Sequence, residues 1–354
     1  MNRRPVRYAV IGTGMMGCEH ITNLRHLPDA EVVAICDTNE SSRDRGQLTA
    51  GAGVDVYADH RRMLERDDLD AVVIATPNFS HAALLDDVLG TDLAIMVEKP
   101  MCTTVDDCVR IRAAARGRTA ITWVALEYRY MPTTTAVLTN LHTCGSLQLI
   151  SIREHRFPFL VKVDNWNRFS ENTGGTLVEK CCHFFDLMRL AADSDPVRVY
   201  ASGGHDVNHL DEVFDGRPAD ILDNAFVIVD FANGVRAGLE LSMFAEGGRY
   251  EQELTVTGSL GKIETTVPGD TIWVGPRDRS GPHALPVPPP DVGYTGFHHG
   301  ASFVEHQRFI ECLRTGQPAE VSVDDGLWSV VMGAAAHRSI DEQRAVLISE
   351  YDLV

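Results

Sequence analysis

The sequence predicts an α/β protein of two domains: an N-terminal parallel sheet with helices on both faces, then a C-terminal α+β domain with a mostly antiparallel sheet. Three observations predict this architecture. The chain has 354 residues, and a domain typically takes about 150 residues. Strands and helices alternate over the first 120 residues, which is typical of βαβ units. Beyond residue 125 strands follow one another directly, so we expect domains over residues 1–125 and 126–354.

The N-terminal elements follow from short apolar runs that alternate with segments of helical spacing. A fully apolar run such as 71–75 is typical of a strand buried in a parallel sheet. The predicted strands are 8–11, 31–36, 54–57, 71–75, 94–98 and 120–124. The predicted helices are 16–27, 41–50, 61–66, 80–89 and 104–116.

The C-terminal elements follow from consecutive strand-like runs and their turns. Asn233-Gly234 is a strong short-range hairpin signal, and 257–261 is a second hairpin loop. The predicted strands are 147–156, 197–202, 225–231, 235–242, 251–257 and 262–266. The predicted helices are 133–141, 177–192, 302–315 and 324–341. Residues 276–290 hold six of the 16 prolines, so we expect a loop there.

The charge balance excludes several classes of partner. Fifty acidic and 32 basic residues give a net charge of −18, which disfavours nucleic acid and acidic membrane surfaces. No apolar run reaches the length of a spanning helix. Residues 8–11 precede a glycine turn and form a first strand rather than the apolar core of a signal peptide. The eight scattered cysteines are expected to be reduced thiols, so we predict a cytoplasmic protein.

The turn after the first strand carries a dinucleotide-binding pattern. Gly12, Gly14 and Gly17 form GxGxxG between a strand and a helix, which is the context that the fingerprint requires. Free N–H groups at the helix N-terminus favour a pyrophosphate. Asp37 lies 20 residues past Gly17 at the end of the second strand, where a carboxylate accepts hydrogen bonds from ribose hydroxyls.

The same carboxylate predicts NAD in preference to NADP, because it repels a ribose 2′-phosphate. Arg43 and Arg45 are near in sequence, and either one would favour NADP if it faced that phosphate. The helix face on which they lie is not fixed by the sequence.

Two further segments end buried strands at the carboxyl edge of the sheet, where ligands bind in such folds. These segments are 76–81 and 98–100. Lys99 is one of only four lysines in the chain, and it stands at a strand tip. We therefore favour a functional role for it over that of an exposed lysine in a connection.

A glycine pair at 174–175 opens a predicted helix that carries Glu179 and His183 four residues apart. Residues at i and i+4 share one helical face, so the carboxylate could orient the imidazole and raise its basicity. From the spacing alone, a surface ion pair on the helix explains the two residues better than a catalytic pair does.

These motifs together resemble the Gfo/Idh/MocA oxidoreductases. The resemblance spans nearly the whole chain and also includes 128–132, 325–326 and 338–340. It implies a Rossmann domain followed by a domain with a large open-faced sheet, whose exposed face forms a homodimer or homotetramer. It further implies that Lys99 and His183 face the nicotinamide, with Glu179 as the third catalytic residue where members usually carry Asp. Lys180 is a departure from the family pattern; it would bind substrate oxygens or pair with Glu98 or Glu179.

The resemblance and the motifs give the following site residues. Cofactor binding is predicted for Gly12, Thr13, Gly14, Met15, Met16, Gly17, Asp37, Thr76, Pro77, Asn78, His81, Glu98, Lys99 and Arg168. Substrate contact is predicted for Lys99, Lys180, His155, Trp166, Arg168, His183, His298 and His299. For Arg168 a loop-fixing salt bridge is the alternative, and His155 faces either the pocket or the open side of the sheet. No metal site is predicted.

The expected function is an NAD-dependent dehydrogenase acting on a secondary hydroxyl of a sugar, sugar derivative or cyclitol. His183 would act as the general base, Glu179 would orient it, and Lys99 would stabilise the alkoxide. Two alternatives stay open: a redox-neutral NAD-using glycosidase or epimerase of the same family, and a non-catalytic nucleotide-sensing regulator. The donor-rich set of candidate residues predicts a polyhydroxylated substrate rather than a simple alcohol.

Overall fold

The computed structural model describes residues 4–353 and divides them into two compact units. Unit 1 comprises residues 4–102, 106–127 and 291–327, and unit 2 comprises 103–105, 128–290 and 328–353. The extreme ends of the two expected domains, residues 1–3 and 354, lie outside the described residues. Segment 291–327 belongs to unit 1, whereas the sequence assigned it to the second domain.

Unit 1 contains one six-stranded parallel sheet of order β3-β2-β1-β4-β5-β6. Its strands are β1 (Val6–Ile11), β2 (Ala30–Cys36), β3 (Asp55–Tyr57), β4 (Ala71–Ile74), β5 (Ala94–Glu98) and β6 (Thr122–Ala125). The helices are α1 (Met15–Arg25), α2 (Glu40–Ala50), α3 (His60–Leu64), α4 (His81–Leu89) and α5 (Val105–Ala115). The strand order reverses direction between β1 and β4, which is where doubly wound sheets bind ligands.

Unit 2 contains a nine-stranded sheet of order β16-β15-β14-β13-β7-β12-β11-β8-β17 and a separate two-stranded ribbon of β9 and β10. Its strands are β7 (Leu147–His155), β8 (Pro196–Gly204), β9 (Val213–Phe214), β10 (Arg217–Pro218), β11 (Asn224–Phe231), β12 (Arg236–Ser242), β13 (Gln252–Gly258), β14 (Gly261–Val267), β15 (Thr271–Pro276), β16 (His283–Pro286) and β17 (Val346–Leu347). Every pairing in the large sheet is antiparallel except that of β7 with β12.

Unit 2 has four short helices, two of which pack on the large sheet. They are α6 (Pro132–Asn140), α7 (Ser170–Thr173), α8 (Thr176–Glu179) and α9 (Cys182–Ala192), of which α6 packs on β14 and α9 on β7. The other face exposes apolar side chains, among them Leu149, Tyr200, Phe226, Ile228 and Trp273. The alternation of buried and exposed residues along each strand is that of a sheet with one open face.

Two helices lie between β16 and β17. The chain returns to unit 1 and forms α10 (Ala301–Thr315), which packs on α1. Helix α11 (Val323–Glu342) then leads back into unit 2 from residue 328 onward.

The structure differs from the sequence expectation in several elements. Strands β9, β10, β15 and β17 were not expected. The helix expected over 177–192 is interrupted, because α8 ends at Glu179 and α9 begins at Cys182. Strand β16 lies within the proline-rich segment that was expected to be a loop. Because β16 is an edge strand, it needs only one row of hydrogen bonds and tolerates proline.

Among the described residues, no helix is both long and apolar enough to cross a membrane. Within the same residues, no group of three or more His, Cys, Asp or Glu side chains is arranged to hold a metal ion.

Candidate functional site

In the glycine turn between β1 and α1, two of the three glycines leave no room for a side chain, and the third borders open space. A Cβ on Gly12, whose φ is +89°, would lie 2.5 Å from the carbonyl oxygen of Ala75. A Cβ on Gly17 would lie 1.9 Å from the carbonyl oxygen of Gly12, but one on Gly14 would meet nothing within 4 Å. The first and third glycines therefore allow close packing, and the second leaves open space at the N-terminus of α1. This cradle fits a dinucleotide pyrophosphate.

Asp37 lies beside this turn at the end of β2. Its Oδ2 accepts a hydrogen bond from the backbone N–H of Thr13 at 2.8 Å, and its Oδ1 accepts one from Asn39 at 2.8 Å. Arg43 donates to the backbone carbonyls of Asp37 and Thr38 at 2.8 and 2.9 Å. The carboxylate is thus held at the nucleotide turn, while the Arg43 guanidinium is engaged by carbonyl oxygens.

The His81 imidazole contacts both of the other segments at the carboxyl edge of the sheet, 76–81 and 98–100. The buried ring lies 2.9 Å from the carbonyl oxygen of Pro100 through Nδ1 and 3.0 Å from that of Thr76 through Nε2. Burial lowers the pKa of His81. The side chain therefore ties segment 76–81 to segment 98–100 and fixes both edges.

A buried network of hydrogen bonds leads to the backbone of Lys99. His20 Nε2 donates to Glu98 Oε1 at 2.9 Å, and His20 Nδ1 lies 2.9 Å from Nε2 of His306 on α10. Burial raises the pKa of Glu98, but the hydrogen bond and charge of His20, together with the charges of Lys99 and His298, outweigh burial and the pKa falls to about 2. Glu98 also accepts from the backbone N–H of Lys99 at 3.1 Å. The Glu98 carboxylate is therefore an ionised anchor for the strand tip that carries Lys99.

His298 also lies in unit 1. Its Nδ1 is 3.3 Å from a carboxylate oxygen of Glu127 and 3.2 Å from the hydroxyl of Ser302. The next residue, His299, adopts a positive φ of 54°. The backbone conformation thus changes at His299, and the buried Glu127 carboxylate orients the His298 ring.

In unit 2 the glycine pair fixes the entry to α8. Gly174 and Gly175 adopt φ of 81° and 85°, and a Cβ on Gly175 would lie 2.3 Å from Nε2 of His337. That nitrogen accepts a hydrogen bond from the backbone N–H of Leu177 at 3.0 Å. Helix α8 ends at Glu179 and α9 begins at Cys182, so Glu179 and His183 lie on successive short helices joined by Lys180 and Cys181.

His183 is buried, and its imidazole stacks on the ring of Tyr128. The ring centroids are 4.0 Å apart and the ring planes meet at 9°. Lys180 is also buried, and its ammonium contacts Glu154 and the Tyr128 hydroxyl. The acidic partner of Lys180 is thus Glu154, not Glu98 or Glu179 as the sequence suggested.

Arg168 and Trp166 lie in the irregular segment before the glycine pair. Arg168 is buried, and its Nε donates to Glu212 at 2.7 Å, while His209 Nδ1 lies 2.9 Å from the same carboxylate. The carbonyl oxygen of Trp166 accepts from Asn172. The Arg168 contact is the loop-fixing salt bridge that the sequence left as the alternative.

His155 lies on the open face of the large sheet. Its Nε2 is 2.9 Å from Glu240, whereas the preceding residue, Glu154, is buried on the covered face. Successive residues of a strand point to opposite faces, so His155 is on the other side of β7 from Lys180. Of the two orientations that the sequence left open, His155 therefore adopts the one toward the open side of the sheet.

Sequence reasoning missed several residues around the candidate site. Tyr128 entered only through its motif, and Glu154, His20, His306 and His337 were not singled out. The signal available for His20 was its place one helical turn beyond Gly17. For the others no local pattern exists.

The fold and the glycine turn define a dinucleotide-dependent α/β protein with a second α+β unit. Residues 6–126 match a family described as an oxidoreductase family with an NAD-binding Rossmann fold, and residues 142–348 match its C-terminal alpha/beta domain. The chain belongs to this Gfo/Idh/MocA oxidoreductase family. Both the predicted family and the predicted fold class are confirmed, and the nucleotide-binding half is one that takes a nicotinamide cofactor.

Individual relatives resemble the chain over nearly its full length. It is 26% identical to the myo-inositol 2-dehydrogenase of Thermotoga maritima, with 98% of this chain and 99% of the relative covered. It is 28% identical to the inositol 2-dehydrogenase of Rhizobium meliloti, with 97% and 99% covered. A levoglucosan dehydrogenase solved with NADH shares the fold, with a TM-score of 0.86, 18% identity, and 98% and 99% covered.

Proposed function

We propose that this protein is a dehydrogenase that oxidises a secondary hydroxyl of a sugar, sugar derivative or cyclitol, and that it uses NAD in preference to NADP. The observation that carries the proposal is the glycine cradle with the Asp37 carboxylate beside it. Relatives whose names are inositol dehydrogenases support the substrate class. A bound nicotinamide would supply the hydride acceptor.

The cofactor preference rests on Asp37. A carboxylate held 2.8 Å from the N–H of Thr13 repels a 2′-phosphate and accepts from the free ribose hydroxyls. We expect the wild-type kcat/KM to be higher with NAD than with NADP. In Asp37→Ser, the ratio of kcat/KM for NAD to that for NADP should fall by about tenfold or more, which corresponds to about 1.4 kcal/mol. Arg43→Met is the matched control, because that guanidinium is engaged by carbonyl oxygens. A wild-type preference for NADP would contradict this assignment.

For the chemical step, we propose that neutral His183 accepts the hydroxyl proton and that Lys99 stabilises the developing alkoxide. Glu179 is proposed to orient His183. Lys99→Ala and His183→Ala should each lower kcat by about a hundredfold or more. Neither change should weaken NAD binding in a calorimetric titration, since the pyrophosphate cradle is unchanged. Near-wild-type turnover in His183→Ala would remove it from the reaction.

For the substrate, the proposal names a polyol. A panel of monosaccharides, deoxy and amino sugars, and inositols should include compounds that reduce NAD, whereas cyclohexanol and 2-propanol should not. A site built to bind hydroxyls rejects analogues that lack them, because its polar groups lose their partners. Net NADH formation separates a dehydrogenase from an enzyme that oxidises its substrate and then reduces it again.

We also propose that the open face of the large sheet binds a second copy of the chain. Exposed Phe226 and Ile228 on β11 support this, because large apolar patches typically mark interfaces. Light scattering should give a dimer or tetramer for the wild type, and Phe226→Glu/Ile228→Glu should shift it to smaller species. A monomeric wild type would refute this part of the proposal.

A further inference from the structure

One buried cation in unit 2 has no role in the proposed reaction. Lys180 has an exposed fraction of 4%, although burying an ammonium is costly unless it is paired. Its Nζ lies 2.9 Å from Oε1 of Glu154, whose side chain is fully buried. Burial alone would lower the pKa of Lys180, but the Glu154 carboxylate and the Tyr128 hydroxyl together outweigh burial and raise that pKa above its ordinary value. The side chain is therefore a charged ammonium.

The ammonium also holds a tyrosine. Lys180 Nζ donates to the Tyr128 hydroxyl at 3.0 Å, and Gln252 Nε2 donates to the same oxygen at 3.2 Å. The ammonium lies 5.2 Å from the centroid of the Tyr128 ring and 5.6 Å from that of Phe184. Two donors thus fix the hydroxyl end of the Tyr128 ring.

The face of that ring in turn supports His183. The two rings are nearly parallel, with centroids 4.0 Å apart. A Tyr128 ring that is held in place limits the tilt of the imidazole stacked on it. A chain of contacts therefore leads from Glu154 through Lys180 and Tyr128 to His183.

We propose that Lys180 is a positioning residue for His183, acting through Tyr128, and that it does not contact substrate. The inference rests on the proposed role of His183 as the base. A base is effective only within a narrow range of positions, and small displacements cost up to about a hundredfold in rate. The Glu154 carboxylate serves this arrangement by keeping the Lys180 ammonium directed at the tyrosine hydroxyl.

A variant that removes both members of the buried ion pair makes the test. Lys180→Met alone would leave the Glu154 carboxylate buried beside only the more distant Arg156, at 3.6 Å, and a broken buried pair is strongly destabilising. Lys180→Met/Glu154→Gln removes both charges together. Lys262→Met/Glu264→Gln applies the same substitutions to an exposed pair, 2.7 Å apart, and should leave kcat unchanged.

Kinetics give the first readout. With the best polyol, we expect Lys180→Met/Glu154→Gln to keep its melting temperature and its KM, while kcat falls by about tenfold or more. Tyr128→Phe should give a similar fall. Adding it to the double variant should lower kcat little further, because residues in one network are not additive. An unchanged kcat would show that Lys180 only neutralises Glu154, and a rise in KM with unchanged kcat would show that it contacts substrate.

A second readout needs no turnover. In protein labelled with ¹³C-histidine, the ring current of Tyr128 should shift the His183 ring protons upfield, with His183→Gln used to assign the signal. We expect that shift to shrink in Lys180→Met/Glu154→Gln and to persist in the Lys262→Met/Glu264→Gln control. A His183 signal that does not move in Lys180→Met/Glu154→Gln would overturn the inference. Failure of the wild type to oxidise any polyol would instead count against the proposed function.

Discussion

Protonation of His337 should destabilise the protein in a defined pH window. This histidine lies on α11, and its Nε2 accepts the hydrogen bond from Leu177 N–H at the start of α8. Only a neutral ring can accept that bond. Burial lowers the pKa of His337 from 6.5 to about 4, with Asp341 acting in the opposite direction.

The sign follows from proton binding in the two states. In the unfolded chain, His337 binds a proton as the pH falls below about 6.5. In the folded protein, it binds a proton only as the pH falls to about 4. Stability is therefore constant above the window and is lost as the pH falls through it. At pH 5 the difference corresponds to about 1.5 pKa units, or about 2 kcal/mol, relative to pH 8.

The assay compares urea unfolding of the wild type and His337→Gln at pH 8 and pH 5. A glutamine oxygen can still accept from the Leu177 N–H but does not titrate. The wild type should lose about 2 kcal/mol more than the variant between the two pH values, with all other groups cancelling in the comparison. If the two proteins lose stability in parallel, His337 is not the titrating group and the reasoning is refuted.

Three further changes should have measurable effects. Trp123→Phe removes the 3.0 Å hydrogen bond to buried Glu305 and should cost about 1–3 kcal/mol in urea unfolding; an unchanged midpoint would contradict that bond. Asp186→Asn breaks the buried pair with Arg129, whose two contacts are 2.6 and 2.5 Å, and should cost about 3–5 kcal/mol. Gly12→Ala should abolish NAD binding in a calorimetric titration, because its Cβ would lie 2.5 Å from a backbone carbonyl; retained affinity would contradict the cradle.

Elements with a strong local signal were predictable from the sequence. The parallel strand β4 was expected at 71–75 and is found at Ala71–Ile74, because a strand buried on both faces is a continuous apolar run. Edge strands lack that signal. Strand β16 contains Pro286 and has exposed or half-exposed residues throughout, so composition favoured a loop.

Contacts between distant segments were out of reach for a different reason. His20 and His306 are 286 residues apart, and no periodicity links them. The sequence assigned segment 291–327 to the second domain, since nothing in its composition marks a return to the first sheet, whereas the structure groups it with unit 1. The sequence located the strand tip that carries Lys99 but not the histidines that anchor it.

Lys180 shows why chemistry alone does not complete such a site. A buried ammonium requires a buried acceptor, so the burial of Lys180 implies a carboxylate beside it. The chain offers 50 acidic residues, and the sequence analysis considered only Glu98 and Glu179. The alternation of β7 instead directs Glu154 to the covered face and His155 to the open face. The register of one strand thus selects the partner of Lys180. A shift of one residue would place His155 beside the ammonium. A protonated His155 would then repel the Lys180 ammonium, and a neutral His155 would leave that ammonium without an ion pair.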